Sequence, residues 1–187
     1  MAQEASKKKA GVSPRTMTVC IVIVVLQFIG LFFMAIGSPY DVLKLNDATS
    51  YLDTTNICYS VWGTKRCGGR NPITWHDAAF YGRCGVFEAC LKAAAAFTII
   101  SLFAFAIGIV CNLMIACKCL TIKTPAVLIN IFGIVATSVP WAVVAGLYHN
   151  SQCRRRFRDL GSYQPGFAFF IVAWGMEIIS FILICIA

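Results

Sequence analysis

The chain has 187 residues, of which 59% are hydrophobic and only 13% are charged, and its formal net charge is +8. This composition excludes an ordinary soluble domain and leaves too little polar chain for a soluble catalytic domain. The basic residues lie in tails and loops beside apolar stretches, where they set topology or meet anionic headgroups, so we expect no nucleic-acid partner.

Four apolar stretches follow one another along the chain, at residues 17–37, 93–117, 125–147 and 165–187. The first three contain no Asp, Glu, Lys or Arg, and the fourth contains only Glu177. Each has the length of about 20 residues that a helix needs to cross a ~30 Å hydrocarbon core. Since backbone groups in lipid must pair internally, the sequence predicts four transmembrane helices. The predicted fold class is all-α membrane, with a four-span domain at 17–187.

The charges beside the first span predict the orientation. Lys7, Lys8, Lys9 and Arg15 precede that span, so the tail at 1–16 is expected in the cytoplasm of a multi-pass plasma-membrane protein. The loops at 38–92 and 148–164 are then extracellular, although they carry more basic residues than the inner segments. Cysteines in the first loop favour an oxidising compartment. The alternative is a signal peptide cleaved after 35–37, which would leave three spans.

The long loop at 38–92 is predicted to fold into a stapled cap. Residues 57–62 alternate in the manner of a β-strand, Gly63 and Thr64 supply a turn signal, and the chain returns to a second cysteine. A Cys58–Cys67 disulfide would close this hairpin and contribute about 2–3 kcal/mol by restricting the unfolded chain. Two free thiols in a reducing compartment are the alternative.

Catalytic and metal chemistry find no support in the sequence. His76 and Asp77 are adjacent, but no Ser or Cys nucleophile signature accompanies them, so we interpret them as a surface pair. The cysteines do not follow a CxxC…CxxC zinc spacing. We therefore expect no enzyme activity, no metal and no cofactor.

The segment 58–67 resembles the signature of the amastin family, surface proteins of kinetoplastid parasites. That signature runs from a cysteine through a Trp-Gly pair and a basic residue to a closing cysteine. The matching positions are Cys58, Ser60, Trp62, Gly63, Lys65 and Cys67. The segment departs from the signature in being one residue shorter before the last cysteine and in having Arg66 where an acidic or polar residue is expected.

The resemblance implies an architecture beyond the helices. Amastins are similar to the claudin and peripheral-myelin-protein class, in which a left-handed four-helix bundle carries a small antiparallel sheet. By this analogy, strands from 38–92 and one strand from about 148–164 form an extracellular palm. A tetraspanin is the rival, but its large cysteine-rich loop lies between the third and fourth spans, where this chain has a short loop.

Polar and small residues inside the spans predict helix contacts. Glu177 and Gln27 lie near mid-depth of their spans, where a carboxylate is costly unless it is protonated or hydrogen-bonded. Two interpretations stay open: a polar clasp between the first and fourth helices, and a proton- or cation-binding group. Small residues at four-residue spacing predict close packing in the second and third spans, namely Ala104 with Gly108 and Ala142 with Gly146.

Two further clusters are candidate sites. Cys117 and Cys119 beside the inner end of the second span are candidates for S-palmitoylation, with unmodified thiols as the alternative. An outer basic patch could bind anionic polymers or lipids, or be a solvated loop; its members are Arg154, Arg155, Arg156 and Arg158. Cys153 beside this patch could pair with Cys84.

The sequence thus predicts a surface protein with a structural or adhesive role. Its expected partners are membrane lipids and either a host-cell surface or like molecules in the same membrane. The alternative function is a transporter, or an accessory of ion or proton movement, centred on Glu177.

Overall fold

Four long helices form the body of the protein. The computed structural model describes residues 14–45, 57–67, 85–117, 124–152, 155–156 and 161–186. The helices are α1 (Pro14–Gly37), α2 (Gly85–Ala116), α3 (Thr124–His149) and α4 (Pro165–Ile186). All four are long and apolar enough to cross a membrane, which confirms the predicted spans. Helix α2 begins at Gly85, well before the predicted start at residue 93.

Local chemistry accounts for the helix ends. Pro165 opens α4, a position where its missing N–H costs nothing, and Gly37 closes α1 two residues before Pro39. The additional turns of α2 carry Glu88 and Lys92, whose side chains form an ion pair 2.6 Å long. Glu88 also lies in the first turn, where a negative charge stabilises the helix dipole. These charged turns extend α2 beyond its apolar stretch, so hydropathy alone did not locate its start.

The buried side of each helix follows a spacing of alternating four and three residues. A seven-residue repeat places core positions every 3.5 residues on average, whereas a straight α-helix has 3.6 residues per turn. A strict repeat of this kind therefore imposes a left-handed supercoil on the helices. Helix α1 packs against α2 and α4, and α3 packs against the same two. The predicted bundle is thereby confirmed. Its core positions are 16, 20, 23, 27, 30, 34 and 37 in α1; 87, 91, 94, 98, 101, 105, 108, 112 and 115 in α2; 126, 130, 133, 137, 140, 144 and 147 in α3; and 166, 170, 173, 177, 180 and 184 in α4.

A small antiparallel sheet covers one end of the bundle. Its strands, in spatial order, are β3 (Gly63–Arg66), β2 (Ile57–Ser60), β1 (Leu43–Leu45) and β6 (Gly161–Tyr163). A separate two-stranded ribbon pairs β4 (Ser151–Gln152) with β5 (Arg155–Arg156). The four-stranded sheet, together with residues 38–42 that lead into β1, is called the cap below. Its composition confirms the predicted sheet, with three strands from the first loop and one from the second.

Two apolar clusters occupy the two ends of the core. The first joins the cap to the neighbouring halves of the helices and is called the sheet-side cluster; it includes Met34, Val42, Leu43, Tyr59, Val61, Phe87, Leu91, Phe105, Val144, Leu147 and Phe170. The second lies at the opposite end and is called the distal cluster; it comprises Cys20, Ile23, Ile115, Ala116, Ala126 and Ile184. The core between them contains polar residues.

Candidate functional site

The hairpin of the cap turns two residues earlier than the sequence predicted. Ser60 pairs with Gly63 across the hairpin, so Val61 and Trp62 form the turn and Gly63 opens β3. The Ser60 hydroxyl donates to the Gly63 carbonyl and accepts from the Trp62 N–H, both at 3.2 Å. Gly63 has a φ of 149°, in the region that favours glycine. A buried hydroxyl bracing a two-residue turn therefore outweighs the Gly-Thr turn signal.

A disulfide between Cys58 and Cys67 staples this hairpin, as predicted. The two Cα atoms are 5.0 Å apart, within the range that a disulfide spans without moving the backbone. Cys58 is only 1% exposed. The bridge therefore restrains, at a buried position, a sheet too small to hold its own core.

Lys65 fastens the hairpin to the chain that leaves α1. Its Nζ lies 2.9 Å from Asp41 Oδ1 and also donates to the Pro39 carbonyl at 3.2 Å. Both side chains of the ion pair are about four-fifths buried, so this pair is less screened by solvent than a surface one. The basic residue of the family signature thus has a bracing role within the cap.

The aromatic residues of the hairpin pack onto the bundle. Trp62 is partly buried against the sheet-side cluster. The Tyr59 ring meets the Phe87 ring of α2 edge-on, with centroids 5.3 Å apart, a preferred aromatic geometry. All six signature residues therefore contribute to building the cap or seating it on the helices.

Residues 41–43 connect three parts of the structure through backbone hydrogen bonds. Val42 N–H donates to Tyr59 O at 2.8 Å, and Val42 O accepts from Gln164 N–H at 3.1 Å. Asp41 O accepts from Gly166 N–H at 2.9 Å, at the start of α4. A Cβ at Gly166 would lie 2.7 Å from Asp41 O. Only glycine permits this approach, which joins the first and last helices beneath the sheet.

Three stacked rings continue the connection from α3 to α4. The Tyr163 ring of β6 lies 4.1 Å from that of Tyr148 and 4.3 Å from that of Phe167. Burial, and to a smaller extent the neighbouring Tyr148, raises the pKa of the Tyr163 hydroxyl above its usual value. The cap is thus attached to the ends of all four helices, through α1 and α4 by the backbone and through α2 and α3 by aromatic contacts.

The other predicted positions on the surface are only partly described. Cys117 is exposed just after the end of α2, on the side away from the sheet, and Cys90 is not disulfide-bonded. Arg155 and Arg156 form β5, opposite Gln152 and Ser151. The remaining positions lie outside the described residues: Cys119, Arg154, Arg158, Cys84, Cys153, His76 and Asp77.

A hydrogen-bonded polar layer links three helices between the two apolar clusters. Gln27 Nε2 of α1 donates to Asn130 Oδ1 of α3, and Asn112 Nδ2 of α2 donates to Gln27 Oε1, both at 3.1 Å. Asn112 Nδ2 also donates to Gly108 O at 2.9 Å, and Asn130 Nδ2 donates to Ala126 O at 2.7 Å. All three amide side chains are fully buried. Such bonds contribute about 0.6 kcal/mol on average in membrane bundles.

Glu177 completes the polar layer from α4 and lies against a glycine of α3. Its side chain is 1% exposed. A Cβ at Gly133 would lie 3.0 Å from the Glu177 Cδ and would come closer still to Oε1. Gln27 packs against a glycine in the same way, since a Cβ at Gly108 of α2 would lie 2.6 Å from its Nε2. Each of these two polar side chains therefore fills a hollow left by a glycine on a neighbouring helix.

The predicted clasp between the first and fourth helices is wrong in its partners. Gln27 bonds to α2 and α3, whereas Glu177 packs on α3 and has no hydrogen-bond partner among the described residues. Asn112 and Asn130 were missed because hydropathy averages them into apolar windows. Their signal was the heptad register: each lies at a core position three or four residues from a core glycine. A polar residue in that register points into the bundle.

Two pairs of small residues were predicted to allow close helix packing, and the outcome differs between α2 and α3. Ala104 is buried beside the core position 105, and Gly108 lies at a core position and receives the Gln27 amide. The pair in the third span is wrong, because Ala142 is exposed and a Cβ at Gly146 would have only Asn150 Nδ2 near it, at 3.9 Å. The packing glycine of α3 is Gly133, which is in phase with the heptad whereas Gly146 is not.

Four antiparallel membrane-length helices with a disulfide-stapled sheet on one end define a multi-pass membrane protein of the four-span, sheet-capped class. The family model for the amastin surface glycoprotein matches residues 28–184. The chain therefore belongs to the amastin family and is a surface membrane protein. No curated protein matches it.

Proposed function

We propose that this protein is a contact protein of the plasma membrane, which presents its cap to an adjoining surface. The observation that carries the proposal is the firm attachment of the cap to the helices. The cap shares one apolar cluster with the helices, and its three anchors are the Gly166 backbone contact, the Lys65–Asp41 ion pair and the Tyr148–Tyr163 stack. A platform fixed in this way keeps its outer surface in one geometry, which lowers the entropic cost of binding.

The cap faces the outside of the cell in this proposal. The Cys58–Cys67 bridge supports that orientation, since disulfides persist in oxidising compartments. The basic tail before α1 supports the same orientation, because basic residues beside the first span stay in the cytoplasm. The tail at 1–16 is then cytoplasmic, and the loops at 38–92 and 148–164 are extracellular.

The β4–β5 ribbon, which lies in the chain between α3 and the cap strand β6, adds the chemistry of contact to the surface of the cap. Arg155 and Arg156 are consecutive in β5, and Arg154 and Arg158 flank them in the sequence. Four positive charges within five residues favour an anionic partner, and guanidinium groups bind sulfate, phosphate and carboxylate in a bidentate manner. The proposed partner is an acidic polysaccharide or anionic headgroup on a facing cell.

Vesicles carrying the purified protein test this function on heparin-coated beads and on host cells. Arg155→Gln with Arg156→Gln is expected to lower bead retention severalfold, and added salt is expected to lower wild-type retention. The matched control removes two positive charges elsewhere, by Lys44→Gln with Lys92→Gln, and should keep most of the retention. Wild-type vesicles that bind neither beads nor cells better than empty ones would refute the adhesive role.

A second candidate function is ion or proton movement across the membrane. It is favoured by one observation, the buried Glu177 carboxyl without a hydrogen-bond partner among the described residues. Flux measurements in proteoliposomes under a pH gradient distinguish the two functions. A flux lost in Glu177→Gln would support transport, and silence together with retained bead binding would support contact.

A further inference from the structure

The polar layer formed by Gln27, Asn112, Asn130 and Glu177 lies between two apolar barriers. On one side is the sheet-side cluster, with Phe105 and Phe170 fully buried, and on the other is the distal cluster, with Ile23 and Ile115 buried. Glu177 is the one Asp, Glu, Lys or Arg in the described part of α4. A carboxylate at this depth without a counter-charge is costly, so it must be neutralised.

Three acceptor atoms of this layer are unpaired among the described residues. Both oxygens of Glu177 and the Oδ1 of Asn112 lack a hydrogen-bond partner within the described residues. Asn112 Nδ2 is already engaged by Gln27 Oε1 and Gly108 O. Buried polar atoms are normally paired, so three unpaired acceptors in one core favour a bound proton or cation beside them.

We propose that Glu177 holds one small monovalent cation, a proton or an alkali-metal ion, at the centre of the bundle. The cation neutralises the carboxylate, whose two unpaired oxygens are the type of ligand that hard cations prefer. Gly133 leaves space for the carboxyl group. On the same stretch of α3, the Thr137 hydroxyl donates a hydrogen bond to the Gly133 carbonyl at 2.8 Å.

Among the described residues, no other titratable group lies at this level of the core. Helices α1 and α3 pack against α4, and their core positions nearest Glu177 are Gln27, Gly30, Gly133 and Thr137, none of which titrates. Cys20 and Cys111 belong to, or pack against, the distal cluster. A pH or ion response of the core therefore reports on Glu177.

The apolar clusters on both sides make the cation part of the folded state. Because the two barriers separate Glu177 from water, its cation exchanges when the core opens and stabilises the closed bundle by mass action. The site requires neither transport nor adhesion and does not depend on the proposed function of the cap.

The test is labelling of the full chain in lipid nanodiscs with dicyclohexylcarbodiimide, an apolar reagent. The reagent adds to a protonated carboxyl group and becomes an N-acylurea adduct that mass spectrometry assigns to its residue. A proton site predicts that Glu177 labelling slows about tenfold per pH unit above its titration. A metal site predicts that Na⁺ or Li⁺ slows labelling at fixed pH. Thermal unfolding under the same conditions gives a second readout.

Glu177→Gln and Glu88→Gln are the matched variants, one in the core and one at the wet end of α2. Glu177→Gln has no carboxyl group to label, so the variants are compared by unfolding. The site is supported if unfolding depends on pH or on Na⁺ in the wild type and in Glu88→Gln but not in Glu177→Gln. The same dependence persisting in Glu177→Gln would overturn it, because another group would then be responsible. A wild type whose labelling and unfolding ignore both pH and Na⁺ would overturn it as well.

Discussion

Replacing Gly133 by alanine is the sharpest test of the packing in the polar layer. The new methyl group would lie 3.0 Å from Cδ and 3.3 Å from Cγ of Glu177, and closer still to Oε1. Because both helices are fixed by heptad contacts above and below, the carboxyl group must move or the helices must separate. Overpacking of this kind costs about 1–3 kcal/mol. Gly133→Ala is therefore expected to destabilise the bundle.

Gly175→Ala is the matched control, because a Cβ there would meet none of the described residues within 4 Å. Both variants gain the same helix propensity, about 1 kcal/mol in favour of alanine, so their difference isolates the clash. Thermal unfolding in detergent, followed by circular dichroism, should place Gly133→Ala below Gly175→Ala. Combining Gly133→Ala with Glu177→Ala should remove most of that deficit, as expected of two residues in contact. Equal stability of the two single variants would show that Glu177 does not occupy the hollow at Gly133.

Three further predictions concern the cap and the polar layer. Gly166→Ala should lose about 1–3 kcal/mol in the same unfolding assay, because its methyl group would meet the Asp41 carbonyl, whereas Gly85→Ala, in open space, should not. Removing the disulfide by Cys58→Ala with Cys67→Ala should cost about 2–3 kcal/mol and increase protease cleavage of the cap; unchanged cleavage would contradict a bracing role. Gln27→Leu should cost about 1–2 kcal/mol, because it removes two buried hydrogen bonds and leaves Asn130 Oδ1 without its donor, and a more stable variant would contradict this.

The helices and the hairpin could be predicted because their signals are local. Span length follows from hydropathy, and the strand, the returning cysteine and the disulfide all lie within ten residues of sequence. The start of α2 was missed because Glu88 and Lys92 lower the hydropathy of turns that are nevertheless helical. The turn residues were misplaced because Ser60, a weaker turn signal than Gly63, braces the hairpin from its buried side.

The polar layer was harder to predict because its partners are far apart in sequence. Gln27 and Asn130 are 103 residues apart, and Gln27 and Asn112 are 85. Composition identified Gln27 and Glu177 as unusual, but the choice of partner depends on which helices are neighbours and on where glycines leave hollows. A heptad reading of each span would have placed all four polar residues in the core, without pairing them.

The order of strands in the cap also constrains how the protein is made. Strand β1 leaves the ribosome soon after the first helix, whereas its neighbour β6 is synthesised just before the last one, so that β1 pairs on one side with a segment made more than a hundred residues later. Until then its edge is open to any other chain that offers a strand. A nascent chain stalled before α4 therefore lacks β6, and its sheet keeps one open edge at β1.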